Sequence, residues 1–598
     1  MVTLSSINQT REFGYPTPFT ASPWFSLLLL SLASQRHAPK PKSRFKKEYD
    51  YIIVGGGAAG SVVASRLSEI ACVNVLLLEA GGFPPRITEV PGTFRSFMMS
   101  DLDWKFQTTP QQHTGAGLKN KSIQWASGKT LGGGSTIGSM SYSRGNRKNY
   151  DDWERQGATG WSYEDVLPYF QKLENYTVPE RKKSALHGHD GPITVSQPHF
   201  YPETKQALEE AAKNLKHTSV DPDGEKQTGS LDDPISTRNG QRCSTAKAYL
   251  VPGENRTNLD ILTNAFVRKI IIENKRAVGV EFDFNKKTYK VRANKEVILS
   301  AGTVKTAHLL MLSGIGPMSE LTKFNIPVVA DLPVGFNLQD HPFSFLAYEV
   351  KSTLKRFVDE LGDDKNILQY IYNRTGPLTS AGGEYLRLFL PNYGLNSSID
   401  HPDRLLHVVD LDSIVMKKQI NLKQQLLHPK SRGTISLIST NPYHSPLIDP
   451  SYYADYRDVE DVVQGLMNCN KLMSDPDMRK VGAKPLENLI PGCEYYAGKE
   501  RMYLNCVIRT FVGTTGHYVG TAKMGHSHDP TTVVDPQLRV KHVKNLRVVD
   551  ASIMPVIPWG PTLIPTVMVA EKASDIIKKS IYCMDYGSSN SGKGKHCG

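Results

Sequence analysis

Hydrophobic and polar positions divide the chain into stretches of different period. Tyr51–Val54 and Val75–Leu78 are short, unbroken apolar runs, as expected of parallel strands covered on both faces. The stretch between them reads as a glycine turn followed by a helix. A series of short alternating runs follows much later: Leu259–Leu262, Phe266–Glu273, Ala277–Phe282, Thr288–Ala293 and Glu296–Ser300. These predict a β-meander that ends on a buried strand. Thr303–Leu312 has helical spacing and is stopped by Ser313-Gly314-Ile315-Gly316-Pro317. Asn149–Asn175 is predicted as amphipathic helix, and Glu203–Leu215 as another. Residues 345–505 are rich in aromatics, Pro and Gly, with strands near Leu405–Val409 and Gly433–Ile438, and read as a separate layer. The first pattern resumes with strand Leu546–Asp550, a Pro/Gly loop and helix Thr566–Lys579. The sum is an α/β chain of mixed α+β character without internal repeats.

The polar punctuation in the first βαβ unit carries the chemistry. Gly55, Gly57 and Gly60 fit G-x-G-x-x-G between a strand and a helix. The first glycine permits the tight turn, the second lets a pyrophosphate approach the backbone, and the third lets helix and strand pack closely. The helix start presents free N–H groups and the positive end of its dipole to the phosphates. Glu79 closes the second strand, 24 residues after Gly55, and is placed to accept hydrogen bonds from a ribose hydroxyl. This context predicts a dinucleotide, NAD or FAD alike. A second glycine-rich loop, Gln124–Gly138, contains Gly132, Gly133 and Gly134 in succession. Such a backbone bends sharply or comes close to something.

Length and charge narrow the class. A chain of 598 residues with 39% hydrophobic and 22% charged residues suits a soluble globular protein with more than one core. The net charge is +12, and part of it sits in the basic, acid-free run His37–Lys47, which reads as a solvated linker. No nucleic-acid motif accompanies it and the remaining charge is dispersed, so nucleic acid is not the expected partner. Trp24–Ala33 is an apolar run of ten residues, too short to span a bilayer. It matches the apolar core of a secretion signal with Ala33-Ser34 near a cleavage site, although its polar lead of 23 residues is long and holds one Arg. Six N-x-S/T sequons agree with secretion. Seven scattered cysteines without C-x-x-C form neither a disulfide scaffold nor a zinc site, and one or two bridges fit a secreted chain. No metal is expected.

Nine segments together resemble the glucose–methanol–choline (GMC) family of FAD-dependent oxidoreductases, its arthropod glucose-dehydrogenase-like branch in particular. They include YIIVGGGAAGSVVASRLSE (51–69), SDLDWKFQTTPQ (100–111), GKTLGGGSTIGSMSYSRGNRKNYDDW (128–153), NGQRCSTAKAYL (239–250), LSAGTVKTAHLLMLSGIGP (299–317), NLQDHP (337–342), HYVGTAKMG (517–525) and LRVVDASIMPVIP (546–558). The resemblance implies a Rossmann-like FAD domain assembled from discontinuous pieces, 48–344 and 506–580, with 154–238 partly substrate domain or lid. It also implies a sheet-and-helix substrate domain at 345–505. Residues 1–47 are left as leader and linker, and 581–598 as a disordered tail. Carried over residue by residue, Gly55, Gly57, Ala58, Ala59, Gly60 and Glu79 serve the ADP half. Thr130, Gly133 and the loop Gly138, Ser139, Met140 lie beside the isoalloxazine. Val267 lies on the adenine side, and Asp550 and Ala551 on the flavin-side phosphate and ribityl chain.

The implied chemistry is oxidation of a small-molecule alcohol. His517 removes the hydroxyl proton while hydride passes to flavin N5, with O₂ or a quinone as final acceptor. A neutral imidazole can take a proton near pH 7. His341, in LQDHP, reads as structural, holding a loop by hydrogen bonds. Four departures from the family pattern gather at this face. Leu563 stands where a second catalytic His or Asn is usual, and Pro561 where an Asn is. Gly138 replaces an Asn of the flavin loop. Gly516 and Tyr518 flank His517 in place of Tyr and Pro, and Ala307 precedes His308. Leucine offers no hydrogen bond to a developing alkoxide. The alternative reading is therefore a catalytically degenerate paralogue that keeps FAD.

Overall fold

The computed structural model describes residues 22–583 except 182–183, 222, 232–233, 352, 355–356, 382–383, 392–401, 410–418 and 487–488. The tail Tyr586–Gly598, Cys597 and the sequons at Asn8 and Asn396 lie outside the described residues.

The first sheet has seven strands. Six are β1 (Glu48–Val54), β2 (Val75–Leu78), β3 (Leu259–Leu262), β4 (Phe266–Glu273), β5 (Arg276–Phe284) and β6 (Lys287–Leu299). Their order is β3-β2-β1-β6-β5-β4, and Leu546–Val548 also pairs with β6. β1 is flanked in parallel by β2, in register Tyr51↔Val75 to Val54↔Leu78, and by β6, in register Glu296↔Tyr51 to Leu299↔Val54. The two strands predicted at 288–293 and 296–300 are thus one strand of 13 residues. Its first half pairs antiparallel with β5, from Lys287↔Phe284 to Arg292↔Gly279. Its second half lies in the parallel core, so β6 joins the meander to the dinucleotide unit without a turn.

Helices α1 (Ala58–Leu67), α2 (Gly302–Leu312) and α3 (Leu563–Lys578) complete this unit, and α1 packs against α3. The small side chains of α1 let it approach closely, and nearly all of them are buried. Glu571 on α3 is fully buried and bridges to Arg66 of α1 and the hydroxyl of Tyr249.

A second, antiparallel sheet carries β7 (Pro342–Glu349), β8 (Glu384–Pro391), β9 (Pro402–Val409) and β10 (Gln419–Leu426), in order β7-β10-β9-β8. Gly229–Leu231 extends it beyond β8. Gly513–Thr514 pairs with the first residues of β7, Thr514 opposite Pro342. That pairing brings His517 beside His341, the residue that precedes β7.

One expectation changes, and the structure adds detail to two others. The stretch 149–175 is two helices, Arg147–Arg155 and Tyr163–Leu173, because Gly157 and Gly160 take φ of +95° and +81° and Ser162 starts a new capping box. The basic linker is pinned at two points, while Lys40, Arg44, Lys46 and Lys47 stay exposed as expected of a solvated segment. Phe45 packs edge-on against Phe282 and Tyr289, and Lys42 pairs with Asp260 at 2.9 Å. The apolar run near the N-terminus forms helix Phe25–Ser31, with Leu28 and Leu32 buried against Val90, Phe97 and Ile367. Among the described residues no helix is long and apolar enough to cross a membrane. Among the described residues two disulfides are present, Cys72–Cys583 and Cys493–Cys506, while Cys243 and Cys469 are free and buried.

Candidate active site

A cavity opens at the C-terminal ends of β1 and β2 and runs under the second glycine loop. At its first end it is lined by Gly55, Gly57, Ala58, Ala59, Glu79, Gly133, Val267, Asp550 and Ala551. It continues into a second cavity lined by Gly138, Ser139, Met140, Thr515, Gly516, His517, Tyr518, Pro561 and Leu563. Ala58, Gly134, Gly302, Lys305 and Ala551 belong to both walls.

The first end is built by backbone. Glu79 is buried, and its carboxylate accepts from the amides of Gly56 (2.7 Å) and Gly81 (2.8 Å). Burial pushes its carboxyl up to about 7, opposed by those two amides and by Lys129. Each oxygen keeps a further lone pair for a hydroxyl donor. Gly60 does not face the cavity: a Cβ there would stand 1.9 Å from the Gly55 carbonyl oxygen, so this glycine is the close contact between helix and strand. Asp550, by contrast, has two donors on each oxygen. One oxygen accepts from the amide and hydroxyl of Ser552, the other from the Gly302 amide (2.9 Å) and the Thr306 hydroxyl (2.6 Å). Its carboxylate thus ties α2 to the C-terminal segment. Thr130, expected beside the flavin ring, lies behind the wall instead: it is fully buried and donates to Gly82 O at 3.0 Å.

The second end is assembled from distant segments. The His517 amide donates to buried Asp340 (2.8 Å), which also accepts from the Thr514 and Tyr452 hydroxyls. His517 Nδ1 lies 3.0 Å from His341 Nδ1 and 2.9 Å from the Thr515 hydroxyl. His341 Nε2 lies 3.2 Å from the carbonyl of Leu427. A carbonyl only accepts, so His341 carries its proton on Nε2. Burial pushes His341 down to about 3, so it is neutral and its Nδ1 is an acceptor. His517 must then donate from Nδ1. The Thr515 hydroxyl agrees, because it donates to the His341 carbonyl (3.0 Å) and is free to accept from His517. His517 is itself held well below the usual imidazole range, by burial first, then by His341, Lys423 and Arg387. Its Nε2 is left as an unprotonated acceptor on the ring that lines the cavity. His341 is therefore more than a loop clamp. LQDHP showed that a histidine was there, but no spacing in the sequence brings residues 341 and 517 together.

The departures have structural counterparts. A Cβ at Gly138 would lie 2.8 Å from the Gly134 carbonyl oxygen, so this loop is closed to a side chain without a shift. Gly516 has φ of +76°, which disfavours any L residue. Tyr518 stacks on Trp125 with ring centroids 3.7 Å apart and is packed into the wall. Leu563 is the first residue of α3 and lines the cavity, as do Pro561 and Thr562.

The GMC oxidoreductase sequence profiles match residues 49–343 and 429–570, so they cover both the glycine turn and His517. The chain belongs to the GMC oxidoreductase family. It is 35% identical to the FAD- and quinone-linked glucose dehydrogenase of Drosophila melanogaster over 565 residues, 90% of this chain and 89% of that one. It is likewise 35% identical to the ecdysone oxidase of Bombyx mori, over 89% of this chain and 82% of the relative. Among solved structures it is similar to pyridoxine 4-oxidase from Mesorbium loti, with TM-score 0.78 and 26% identity over 90% of this chain and all of that one. The cofactor of this GMC oxidoreductase is FAD, and the cavity fits it. Gly134 and Gly302 stand on the shared wall where a Cβ would meet nothing within 4 Å and project into the space a cofactor fills. Gly57, Ala58 and Glu79 would hold the ADP half, and Ala551 with the loop Gly138–Met140 the flavin half.

Proposed function

We propose that this GMC oxidoreductase oxidises a CH–OH donor, with His517 as the base that takes the hydroxyl proton at Nε2. When bound, FAD supplies the two-electron acceptor. The observation that carries the reading is the directed chain of hydrogen bonds from His517 Nδ1–H to His341, and from His341 Nε2–H to Leu427 O. It fixes the tautomer and orients the ring before substrate arrives. Holding a base in place and in the right form contributes about 10²–10⁴-fold to such a step. Phe106, Met140, Val304 and Leu563 add apolar surface to the lining of the same cavity.

The final acceptor is O₂ or a quinone; the printed name of the Drosophila relative supports the quinone. The unit built on the first sheet, 48–344 with 506–580, acts as the FAD unit. The segment 345–505, which supplies most of the second sheet, acts as the substrate unit and reaches the site through the start of β7. Two disulfides favour an oxidising compartment and thus a secreted protein.

Leu563 supports the second reading, a degenerate FAD-binding paralogue, because a missing oxyanion donor costs about 2.7–4 kcal/mol. Anaerobic titration of the purified holoprotein with sugars, aliphatic alcohols and sterols separates the two. Bleaching of the flavin absorbance that is lost in His517→Ala is expected. Flavin that stays oxidised with every alcohol in the wild type, yet bleaches in Leu563→Asn, supports the paralogue.

A further inference from the structure

The carboxylates of the FAD cavity are committed to protein donors, whereas one of its cations is not. Glu79 is held by two amides and Asp550 by four donors. Arg268, on the adenine side, lies within 4 Å of both Glu281 and Asp283. Lys305 differs. It stands in the first turn of α2, on the wall common to both ends of the cavity. Among the described residues its ammonium has one hydrogen-bond partner, His308 Nδ1 at 3.4 Å. His308 is buried, and burial pushes it down to about 3, so that partner is neutral. Among the described residues no carboxylate pairs with Lys305. Its remaining neighbours are rings: the ammonium is 4.8 Å from the Trp104 centroid, 5.8 Å from Phe266 and 6.0 Å from Phe106. Lys129 places a second ammonium 4.9 Å from the same indole.

A half-buried ammonium without a counter-ion is costly in the empty protein, and aromatic faces offset only part of that cost. Burial and the neighbouring Lys129 both act against its charge and bring Lys305 down to about 8. An anion arriving at the wall would reverse this. The ligand already placed here carries one: its diphosphate lies chemically between the ribose that Glu79 faces and the ring that His517 faces, and Lys305 stands where those two ends of the cavity meet. The geometry points to Lys305, steadied on Trp104 and reinforced at a distance by Lys129, as the counter-charge for the diphosphate of FAD. The glycine turn supplies only neutral amides to that group. The inference rests on FAD being the cofactor but not on alcohol oxidation.

The test measures binding of FAD and of riboflavin, which lacks the diphosphate, to deflavinated protein by quenching of flavin fluorescence. Measurements are made at low and high salt, on the wild type, K305M and K305R. Expected are a wild-type FAD affinity that falls with salt and a K305M affinity about tenfold weaker or more, the scale of a lost charge-assisted hydrogen bond. The K305M affinity should also show a flatter salt dependence. Riboflavin affinity is expected to be equal in wild type and K305M, and K305R should retain most of the FAD affinity. Unchanged FAD affinity and salt dependence in K305M would overturn the proposal and assign the cation to an anionic substrate. If K305M does not fold, by circular dichroism, the wild type decides: FAD affinity insensitive to salt overturns the proposal, and affinity that converges on that of riboflavin at high salt supports it. Wild-type protein that binds riboflavin but not FAD overturns both this role and the cofactor reading.

Discussion

The two ends of the FAD cavity are built on different terms. At the ADP end the work is done by backbone: a strand, a glycine turn, a helix and one buried acid, all within Glu48–Glu79. Its tolerances are steric and local, and every motif residue is in place. At the flavin end the work is shared by side chains (His341, His517, Leu563) and by backbone (Gly138, the Leu427 carbonyl) from five separated segments. There the ring of His517 is held by hydrogen bonds to His341 and Thr515. A backbone site tolerates almost no substitution because its fit is a matter of excluded volume. A side-chain site can exchange one wall for another as long as the reacting atom stays oriented.

Substitutions at the two ends should separate them. Gly60→Ala is expected to have the largest effect. Its Cβ would stand 1.9 Å from the Gly55 carbonyl oxygen, so the protein should be recovered without flavin or not at all, read from the absorbance of the purified product. His517→Ala should keep the flavin spectrum while flavin reduction by a substrate alcohol slows by about 10²–10⁴-fold in stopped flow. His341→Ala removes the acceptor that fixes the tautomer and should slow the same step by about 10–100-fold with FAD still bound, the usual scale for an orienting partner. Equal rates in His341→Ala and wild type would remove the relay from the mechanism. Gly516→Ala is expected to be mildest. The added methyl meets nothing closer than the Tyr518 hydroxyl at 4.0 Å, so the cost is about 1 kcal/mol from the left-handed φ, seen as a small drop in melting temperature.

The pH dependence sharpens the same contrast. The base is active when neutral, and His517 stays neutral to well below 6.5. The acid limb of kcat/KM is therefore expected below pH 6.5, with a plateau above it. Stability has the matching sign. Below pH 6.5 the unfolded chain binds protons on residues 341 and 517 that the folded chain refuses, so stability is lost as pH falls from 6.5 toward the folded value of His341, about 3. Replacing both histidines with Asn should flatten that slope in urea titrations across this range.

Much of the first sheet was legible. Tyr51–Val54, Val75–Leu78, Leu259–Leu262 and Phe266–Glu273 lie where the pattern puts them, because a strand buried on both faces or alternating across one announces itself locally. The break in 149–175 was encoded in Gly157, Gly160 and Ser162, and the helical period on either side masked it. Lys305 was unreadable as a site residue: a lysine inside an apolar helix looks like a solvated face until Trp104, Phe266 and Phe106 are seen around it.

By itself the sequence determined the dinucleotide turn, the acid at Glu79, the order of the βαβ elements and, through resemblance, FAD; it also put forward His517 as the candidate base. These follow from contacts between residues close in the chain or from short motifs. Only the tertiary structure decided what His341 touches, where Thr130 stands, how β6 joins two sheet halves and why Lys305 has no carboxylate partner among the described residues. Each depends on which distant segments share a wall. The pairing of Thr514 with Pro342, which brings two histidines 176 residues apart to within hydrogen-bond distance, is fixed by the packing of a whole sheet and by no local propensity.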